Sequence, residues 1–154
     1  MSSRLSPITC VTPQALLTAT ISVRTSGIGF IDISRDAADF LREAKAAEGA
    51  LTVFLRHTSA SLTIQENADP DVQTDLTDAL NCLAPQHAGY IHDTEGPDDM
   101  PAHIKAMLTG VSLTIPVTDG KAALGTWQGI YLIEHRQAPH TREVVLQFIG
   151  SCRE

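Results

Sequence analysis

The sequence lacks a cysteine framework, a long hydrophobic run, and positive charge through about one third of its length. Its three cysteines are far apart and form no Cys-x-x-Cys pair, so we expect no disulfides and a reducing, cytoplasmic location. No window approaches the roughly 18 apolar residues of a membrane span, and the first residues carry no signal-peptide pattern. Motifs of nucleotide-binding loops, zincin metalloproteases and the α/β-hydrolase elbow are absent, so those enzyme classes are not indicated.

The segment 57–104 contains no lysine or arginine, but it holds nine acidic residues and four of the six histidines. Its formal charge is −9, and the other residues, with nine acids and 11 bases, carry +2, which gives −7 for the chain. Nucleic acids and anionic membranes bind clustered Lys and Arg, so we expect neither as a partner. Carboxylates and imidazoles without competing cations favour a metal ion, and solvated acidic loops are the alternative.

The length of 154 residues predicts one domain spanning residues 1–154. Such a chain buries about two thirds of the surface of its unfolded form, so a metal is not needed for folding and has another role if it binds. The hydrophobic periodicity predicts strands at 15–22 and 28–33, joined as a hairpin. A helix is expected to begin at Ser34 and to end at Gly49.

The remaining pattern predicts two more helices and five more strands. One helix begins at Asp69, its N-cap, with Pro70 at the first helical position. A long loop at 84–99 precedes a short helix at 100–109, and unstructured connections of this length are often functional. Strands are expected at 51–56, 60–66, 111–117, 126–135 and 142–150. This order indicates an α+β fold rather than alternating βαβ units.

Polar residues gather in three segments of the chain, at 57–71, 92–103 and 125–142. His57 at a strand end, His92 in the long loop and His103 on a helix are candidates for a shared metal site. Three imidazoles suit catalytic zinc, whereas carboxylates with water suit magnesium or manganese. Each histidine also has a structural alternative: His57 bound to loop backbone, His92 exposed, and His103 on a helix surface.

Other polar residues in these segments allow two interpretations. Asn67 is a frequent turn former, and Asp69 is explained by its role as an N-cap. Glu66 shares the parity of the apolar residues in its strand, so we expect it to point inward and to need a partner. Trp127, the single tryptophan, is typical of a core or interface anchor.

Charge of both signs surrounds the turn after the strand at 126–135. Arg136 and Arg142 bind either a phosphate or the acidic segment 57–104, and both interpretations stay open. His103 follows Asp99 by one turn of the predicted helix, so their side chains share a face. The sequence therefore predicts that segment 57–104 binds a cation or faces this basic turn.

Four stretches of the sequence resemble the signature of the YjbQ-like family, also labelled uncharacterised protein family 0047 or secondary thiamine-phosphate synthase. The matching stretches are HTSASLTIQENADPDV at 57–72, HDTEGPDDMPAHIK at 92–105, GVSLTIP at 110–116 and GTWQGIYLIEHR at 125–136. The resemblance covers nearly the whole chain. It implies a compact α+β domain with a β-sandwich-like mixed sheet core and about three helices, which assembles as a homotrimer.

Taken with the residue patterns, the resemblance gives a set of candidate site residues. The catalytic candidates are His57, Glu66, Asn67, Asp69, Gln128 and Glu134. The substrate-binding candidates are Ser59, Trp127, Arg136 and Arg142, and the metal candidates are His57, His92 and His103. The resemblance assigns no role to His135, where many members have an apolar residue, or to Asp98 and Asp99, whose GPDDMP stretch varies.

The function that the resemblance implies is a weak thiamine-phosphate synthase, which joins a hydroxymethylpyrimidine diphosphate to a thiazole phosphate. Displacing pyrophosphate requires its charge to be neutralised, commonly by a divalent ion and basic side chains. We therefore expect a divalent metal, zinc or magnesium, and a small ligand that is phosphorylated. The main synthases resemble (β/α)8 barrels of about 250 residues, so a shared activity would use an unrelated scaffold.

Two other functions fit the same residues. One is a hydrolase of small molecules that uses a metal-bound water, with Glu66 as the general base. The other is a non-enzymatic, ligand-binding trimer in which the polar segments line the subunit boundaries.

Overall fold

The structure is a computed structural model that describes residues 4–154. In chain order its elements are β1 Ala15–Arg24, β2 Gly29–Asp32, α1 Ser34–Glu43, β3 Ala46–Leu55, β4 Ala60–Glu66, α2 Pro70–Leu83, α3 Asp99–Thr109, β5 Ser112–Thr118, β6 Lys121–Ala122, β7 Gln128–Glu134 and β8 Thr141–Cys152. Across the described range, every helix is too short or too polar to span a membrane. The α+β class and the three helices are confirmed.

Two antiparallel sheets form the framework. One has five strands in the order β1-β8-β3-β5-β6, and the other has three strands in the order β2-β7-β4. All strand pairs of the described chain are antiparallel, so the β-sandwich-like core that the resemblance implies consists of two antiparallel sheets. β5 and β8 alternate buried and more exposed residues, as strands with one face in a core do, whereas β7, the central strand of its sheet, is buried from Gly129 to Glu134.

The hydrophobic core collects side chains from both sheets and from α1. Leu51, Val53 and Leu55 of β3 are buried on one face, as their two-residue spacing predicts. Ala37 and Leu41 bring α1 into the same core. A buried side chain the size of leucine contributes about 1.5–3 kcal/mol through its removal from water, so this cluster dominates the stability of the fold.

The predicted hairpin between the first two strands is wrong. β1 pairs with β8, and β2 pairs with β7 in the other sheet. The turn signal at 25–28 is real, but the chain passes from one sheet to the other there. Turn residues determine only that the chain reverses direction, whereas the partner of each strand comes from more than 90 residues further along the chain.

The helix predicted to run from Ser34 to Gly49 ends at Glu43 instead. Lys45 follows with a positive φ of 50°, which no right-handed helix accommodates, and β3 begins at Ala46. Gly49 lies inside β3, where a Cβ would come within 2.2 Å of the Ile149 carbonyl oxygen. Glycine at this position therefore allows two strands to approach closely, and it does not mark the end of a helix.

The helix predicted to begin at Asp69, at the end of the first polar segment, is confirmed at its start. Asp69 accepts a hydrogen bond from the backbone N–H of Asp71 at 2.9 Å, and Pro70 occupies the first turn. No residue of α2 is buried. Its apolar face, which includes Leu83 at 67% exposure, is thus only partly covered by the chain itself.

Candidate metal centre

Two histidines and one aspartate of the acidic segment lie together at the end of β4 near Ala60. The loop between α2 and α3 supplies His92, and α3 supplies Asp99 and His103 at positions i and i+4. One ligand atom from each residue lies within 4.8 Å of the other two. The Oδ2 atom of Asp99 is 2.8 Å from Nε2 of His92 and 3.3 Å from Nε2 of His103. Two imidazoles and one carboxylate form a donor set that zinc and other divalent transition metals accept.

The second ring nitrogen of His103 fixes where its proton sits. Nδ1 lies 3.0 Å from the carbonyl oxygen of Thr58, which only accepts, so Nδ1 must donate. In the neutral ring Nε2 is then a bare lone pair that faces the carboxylate of Asp99. A metal ion bound by both atoms would relieve this contact between two acceptors. An Nδ1–H bound to a carbonyl is also how metal-ligating histidines are usually oriented.

Arg136 holds the aspartates of this cluster in place. Its guanidinium donates to Asp99 Oδ1, to Asp98 Oδ2 at 3.1 Å and to the carbonyl of Glu95 at 2.8 Å. Burial raises the pKa of Asp98, but hydrogen bonds from the Gln137 amide and from Arg136 outweigh it and leave that pKa below its usual value. The prediction that the acidic segment faces the basic turn is confirmed for Arg136.

His57 lies outside the cluster, so the structure does not bring together the three histidines proposed from the sequence. The reason is a backbone contact: Nε2 of His57 accepts the N–H of Glu143 at 2.9 Å. Burial and the nearby Arg142 lower the pKa of His57, which keeps the ring neutral with its proton on Nδ1. Asp99 therefore takes the place that the sequence had suggested for His57.

Glu134 and Arg142 form a buried ion pair behind the cluster. Arg142 donates to both carboxylate oxygens of Glu134, at 2.6 and 2.7 Å, and also contacts the Ser59 carbonyl. Thr25 and the Arg136 amide donate the remaining hydrogen bonds to Glu134. Burial raises the pKa of Glu134, but the hydrogen bonds from these donors and the charge of Arg142 outweigh burial, so the pKa lies below its usual value. Both side chains are fully engaged, and their place is structural support for the segment that carries His57.

The other candidate residues lie at the far end of the same strand pair. Ala60 pairs with Glu134, whereas Glu66 pairs with Gln128. The six residue steps between these pairs correspond to about 20 Å. Asn67 and Asp69 follow Glu66, and Trp127 precedes Gln128, so the predicted set divides into two groups within one chain. Glu66 is half-buried at a strand end rather than pointing into the core.

At this far end the local contacts are simple. The side chain of Gln128 accepts the Gly125 N–H at 2.8 Å and closes the Gly-Thr-Trp-Gln turn. The backbone N–H of Asn67 donates to the Trp127 carbonyl at 3.0 Å. Trp127 itself is 64% exposed, which excludes the core alternative and leaves the interface alternative.

Two shallow clefts flank the metal cluster. One, of about 360 Å³, is lined by His57, Thr58 and His103, by apolar residues of α3 and by Val111, which precedes β5. The other, of about 370 Å³, is lined by His92 and its loop neighbours His87 and Tyr90. A small molecule in either cleft reaches an imidazole of the cluster, so the cluster is accessible to a substrate.

Two features of this region were not assigned from the sequence. Asp99 was noted only as a residue on the same helix face as His103, and that i, i+4 spacing was the usable signal. His135 is buried, and its Nε2 lies 2.8 Å from the Ser61 hydroxyl. Burial, with a smaller effect from Lys105, lowers the pKa of His135 to about 4, so the ring is neutral near pH 7.

The family description UPF0047 protein YjbQ-like matches residues 19–151. The chain belongs to this YjbQ-like family. UPF0047 protein sll1880 of Synechocystis sp. is 48% identical over 129 residues, which cover 83% of this chain and 88% of that protein. YjbQ of Salmonella typhimurium is 44% identical over 132 residues, covering 85% and 96%.

Solved structures of the YjbQ-like family have the same fold. The crystal structure of an uncharacterized YjbQ/UPF0047 family protein from Clostridium acetobutylicum matches with a TM-score of 0.79 and 40% identity, and the match covers 84% of this chain and 98% of that one. A hypothetical protein from Aeropyrum pernix matches with a TM-score of 0.81 at 27% identity, covering 88% and 99%. The resemblance inferred from the four sequence stretches is confirmed.

Proposed function

We propose that this YjbQ-like protein is a metal-dependent enzyme that binds zinc, or a similar divalent transition metal, through His92, Asp99 and His103. One observation carries the proposal: two acceptors, His103 Nε2 and Asp99 Oδ2, face each other at 3.3 Å. Imidazole donors favour zinc over magnesium, which prefers oxygen ligands. Three protein ligands leave a fourth position open, as in catalytic zinc sites.

Hydrolysis of a small molecule is the reaction class that we propose first. A zinc ion at this cluster would supply a Lewis acid and an activated water. The Nδ1–H of neutral His57, beside the cleft that it shares with His103, would donate a hydrogen bond to a substrate oxygen. Glu66, the base suggested by the sequence, lies about 20 Å away along β4, so it does not serve the cluster of its own chain.

Thiamine-phosphate synthesis is the second candidate, and the same cluster favours it. A divalent ion there would neutralise the departing pyrophosphate. The arginines expected to bind phosphate, Arg136 and Arg142, are already bound to carboxylates, so phosphate binding would depend on the metal. For that reason we place the synthase second.

Metal binding is tested on protein purified without a histidine tag and stripped with a chelator. Titration with zinc or cobalt, followed by calorimetry and cobalt absorption, should give one site per chain. His92→Gln should weaken binding by about 100-fold, because one ligand of three is lost. His87→Gln is the matched control, since His87 is exposed, belongs to the same loop and lies outside the cluster. Equal affinities for these two variants would overturn the proposed metal site.

Activity is tested with the zinc-loaded protein. Esters, lactones and phosphoesters probe hydrolysis, and a pyrimidine diphosphate with a thiazole phosphate probes the synthase. We expect hydrolysis of at least one class, lost in His92→Gln and retained in His140→Gln, because His140 lies outside the cluster and outside both clefts. Zinc binding without turnover of any of these compounds would support the metal site but overturn the enzyme proposal. The ligand-binding alternative would then be favoured.

We also propose a homotrimer in a reducing, cytoplasmic compartment. The partly covered face of α2 and the 64% exposed Trp127 support an interface between copies. The free state of Cys10, Cys82 and Cys152 supports the reducing compartment. Sedimentation velocity should give a trimer, and Trp127→Ala should dissociate it, whereas a monomeric wild-type protein would contradict the assembly.

A further inference from the structure

A cavity of about 630 Å³, separate from the two clefts beside the metal cluster, lies at the other end of β3 from His57. Its walls come from α1, from the turn between β5 and β6, and from the residues after β8. Leu41 and Ile130, both fully buried in the core, form the floor together with the partly buried Leu124. A cavity of this volume with an apolar floor is in the range of small-molecule sites.

The rim of this cavity is cationic, although the chain as a whole carries −7. Four basic residues line it, against two acidic ones, Asp119 and Glu154; the bases are Arg42, Lys45, Lys121 and Arg153. Arg42 is paired with Asp39, and Arg153 donates to the Asp119 carbonyl. Within residues 4–154 the ammonium groups of Lys45 and Lys121 have no hydrogen-bond or ion-pair partner. Two unpaired positive charges thus border an apolar floor.

The backbone of the rim is held in an unusual conformation. Lys45 and Asp119, with φ of 50° and 53°, are the non-glycine residues with positive φ in the described chain, and both line this cavity. Hydrogen bonds from elsewhere fix them: the Arg153 amide donates to the Lys45 carbonyl, and the Asp119 amide donates to Glu48, each at 2.7 Å. The positive φ of Lys45 costs about 1–3 kcal/mol, and such positions cluster at ligand sites, whereas Asp119 and Gly120 form the two-residue turn between β5 and β6, which requires positive φ.

We propose that this cavity binds a small organic anion. The apolar body of the ligand would lie on the partly buried Ala122 and Leu124, above Leu41 and Ile130, and its carboxylate or phosphate would lie between Lys45 and Lys121. The ammonium group of lysine is a compact point charge that suits either anion. The cavity shares no lining residue with the clefts beside the metal cluster. The ten residues of β3 separate the two regions by about 30 Å, so this is a second site, independent of the proposed enzyme activity.

The test uses anilinonaphthalene sulfonate, an apolar anion whose fluorescence rises on burial. Trp127, the single tryptophan, lies three residues from Leu124, so energy transfer from Trp127 reports whether the probe occupies this end of the molecule. We expect saturable binding to the full chain. Octanoate and octyl phosphate should each displace the probe, and their relative affinities decide which anion the site prefers.

The charge requirement is tested with Lys45→Asn combined with Lys121→Gln. Asparagine tolerates the positive φ of position 45, so the fold is retained. Loss of the two exposed charges should lower the affinity for the anionic probe by about tenfold. The double variant should bind the neutral analogue phenylnaphthylamine with an affinity within about twofold of the wild-type value. Arg35→Gln is the matched control, because Arg35 is an exposed base on α1 outside the cavity. Lys121→Gln alone serves if the double variant does not fold.

Three results would overturn the proposal. One is wild-type affinity of the sulfonate probe in the double variant. Another is equal weakening of the anionic and the neutral probe, which would mean a purely apolar surface. The third is absence of saturable binding by the wild type, which would mean that another copy of the chain covers the cavity. Asp99→Asn should bind the probe as wild type does, which separates this site from the metal cluster.

Discussion

Nε2 of His103 and Oδ2 of Asp99 lie 3.3 Å apart, while the Nδ1 of the same histidine is committed to the Thr58 carbonyl. Either a proton or a metal ion can bind between these two atoms. Competition between them links metal affinity to pH.

Zinc binding should therefore release protons. The ion would displace a proton that the cluster holds between a histidine nitrogen and Asp99, because a metal and a proton compete for the same ligand atoms. Calorimetry in buffers of different ionisation enthalpy measures the number released, which we expect to be about one. A binding enthalpy that does not depend on the buffer would contradict this arrangement.

Arg136→Gln should weaken zinc binding although it removes none of the three metal ligands. Arg136 orients Asp99 and Asp98 and ties the loop at Glu95, and partners of this kind commonly change metal affinity by about 10–100-fold. The measurement is the zinc dissociation constant of the folded variant. Arg56→Gln removes an exposed arginine that pairs only with Glu143, and it should leave the affinity unchanged. Identical affinities of the two variants would argue against a supporting role for Arg136.

Glu134→Gln should destabilise the fold by about 3–5 kcal/mol, because it leaves the buried guanidinium of Arg142 without its counter-charge. The pKa of Glu134 is lowered in the folded state, so its contribution is present above the ordinary carboxyl pKa and is lost as the pH falls toward the folded value. Urea unfolding of both proteins at neutral and acidic pH measures this. The difference between them should shrink on acidification; a constant difference would show that charge is not the cause.

His135 should make the fold acid-sensitive above the range where carboxylates titrate. Its pKa falls from 6.5 to about 4 on folding, so the unfolded chain binds a proton first and stability declines as the pH drops from about 6.5 toward 4. Between pH 7 and pH 5 the loss amounts to about 2 kcal/mol. His135→Leu should remove this component, seen as a flatter dependence of the unfolding free energy on pH. His140→Leu, at a half-buried turn position, should keep the wild-type slope.

Local patterns in the sequence were enough to place most elements. The strand at 51–56, the Asp69 cap and the helix at 100–109 all follow from spacing of two or 3.6 residues and from cap chemistry, which act over a few positions. The α1 boundary was wrong because glycine at position 49 has two possible uses. Its actual use, close approach to Ile149, depends on a strand a hundred residues away.

The candidate site was predicted in part for the same reason. His92 and His103 could be proposed from composition, because a segment without cations is favourable for a metal. The absence of His57 from the cluster could not be predicted from the sequence, since it depends on a hydrogen bond from the Glu143 backbone. Pairing along β4 and β7 likewise separates Glu66 and Gln128 from the histidines. Register between strands cannot be obtained from either strand alone.

The span from Glu95 to Arg136 also implies an order of assembly. Arg136 lies just after β7, so the loop that carries His92 can be secured only once β7 has joined its sheet, and contacts of such long sequence separation form late in folding. The metal would then bind a finished scaffold rather than template it. Apo-protein should fold at the same rate as the zinc form, and the ion should act mainly by slowing unfolding.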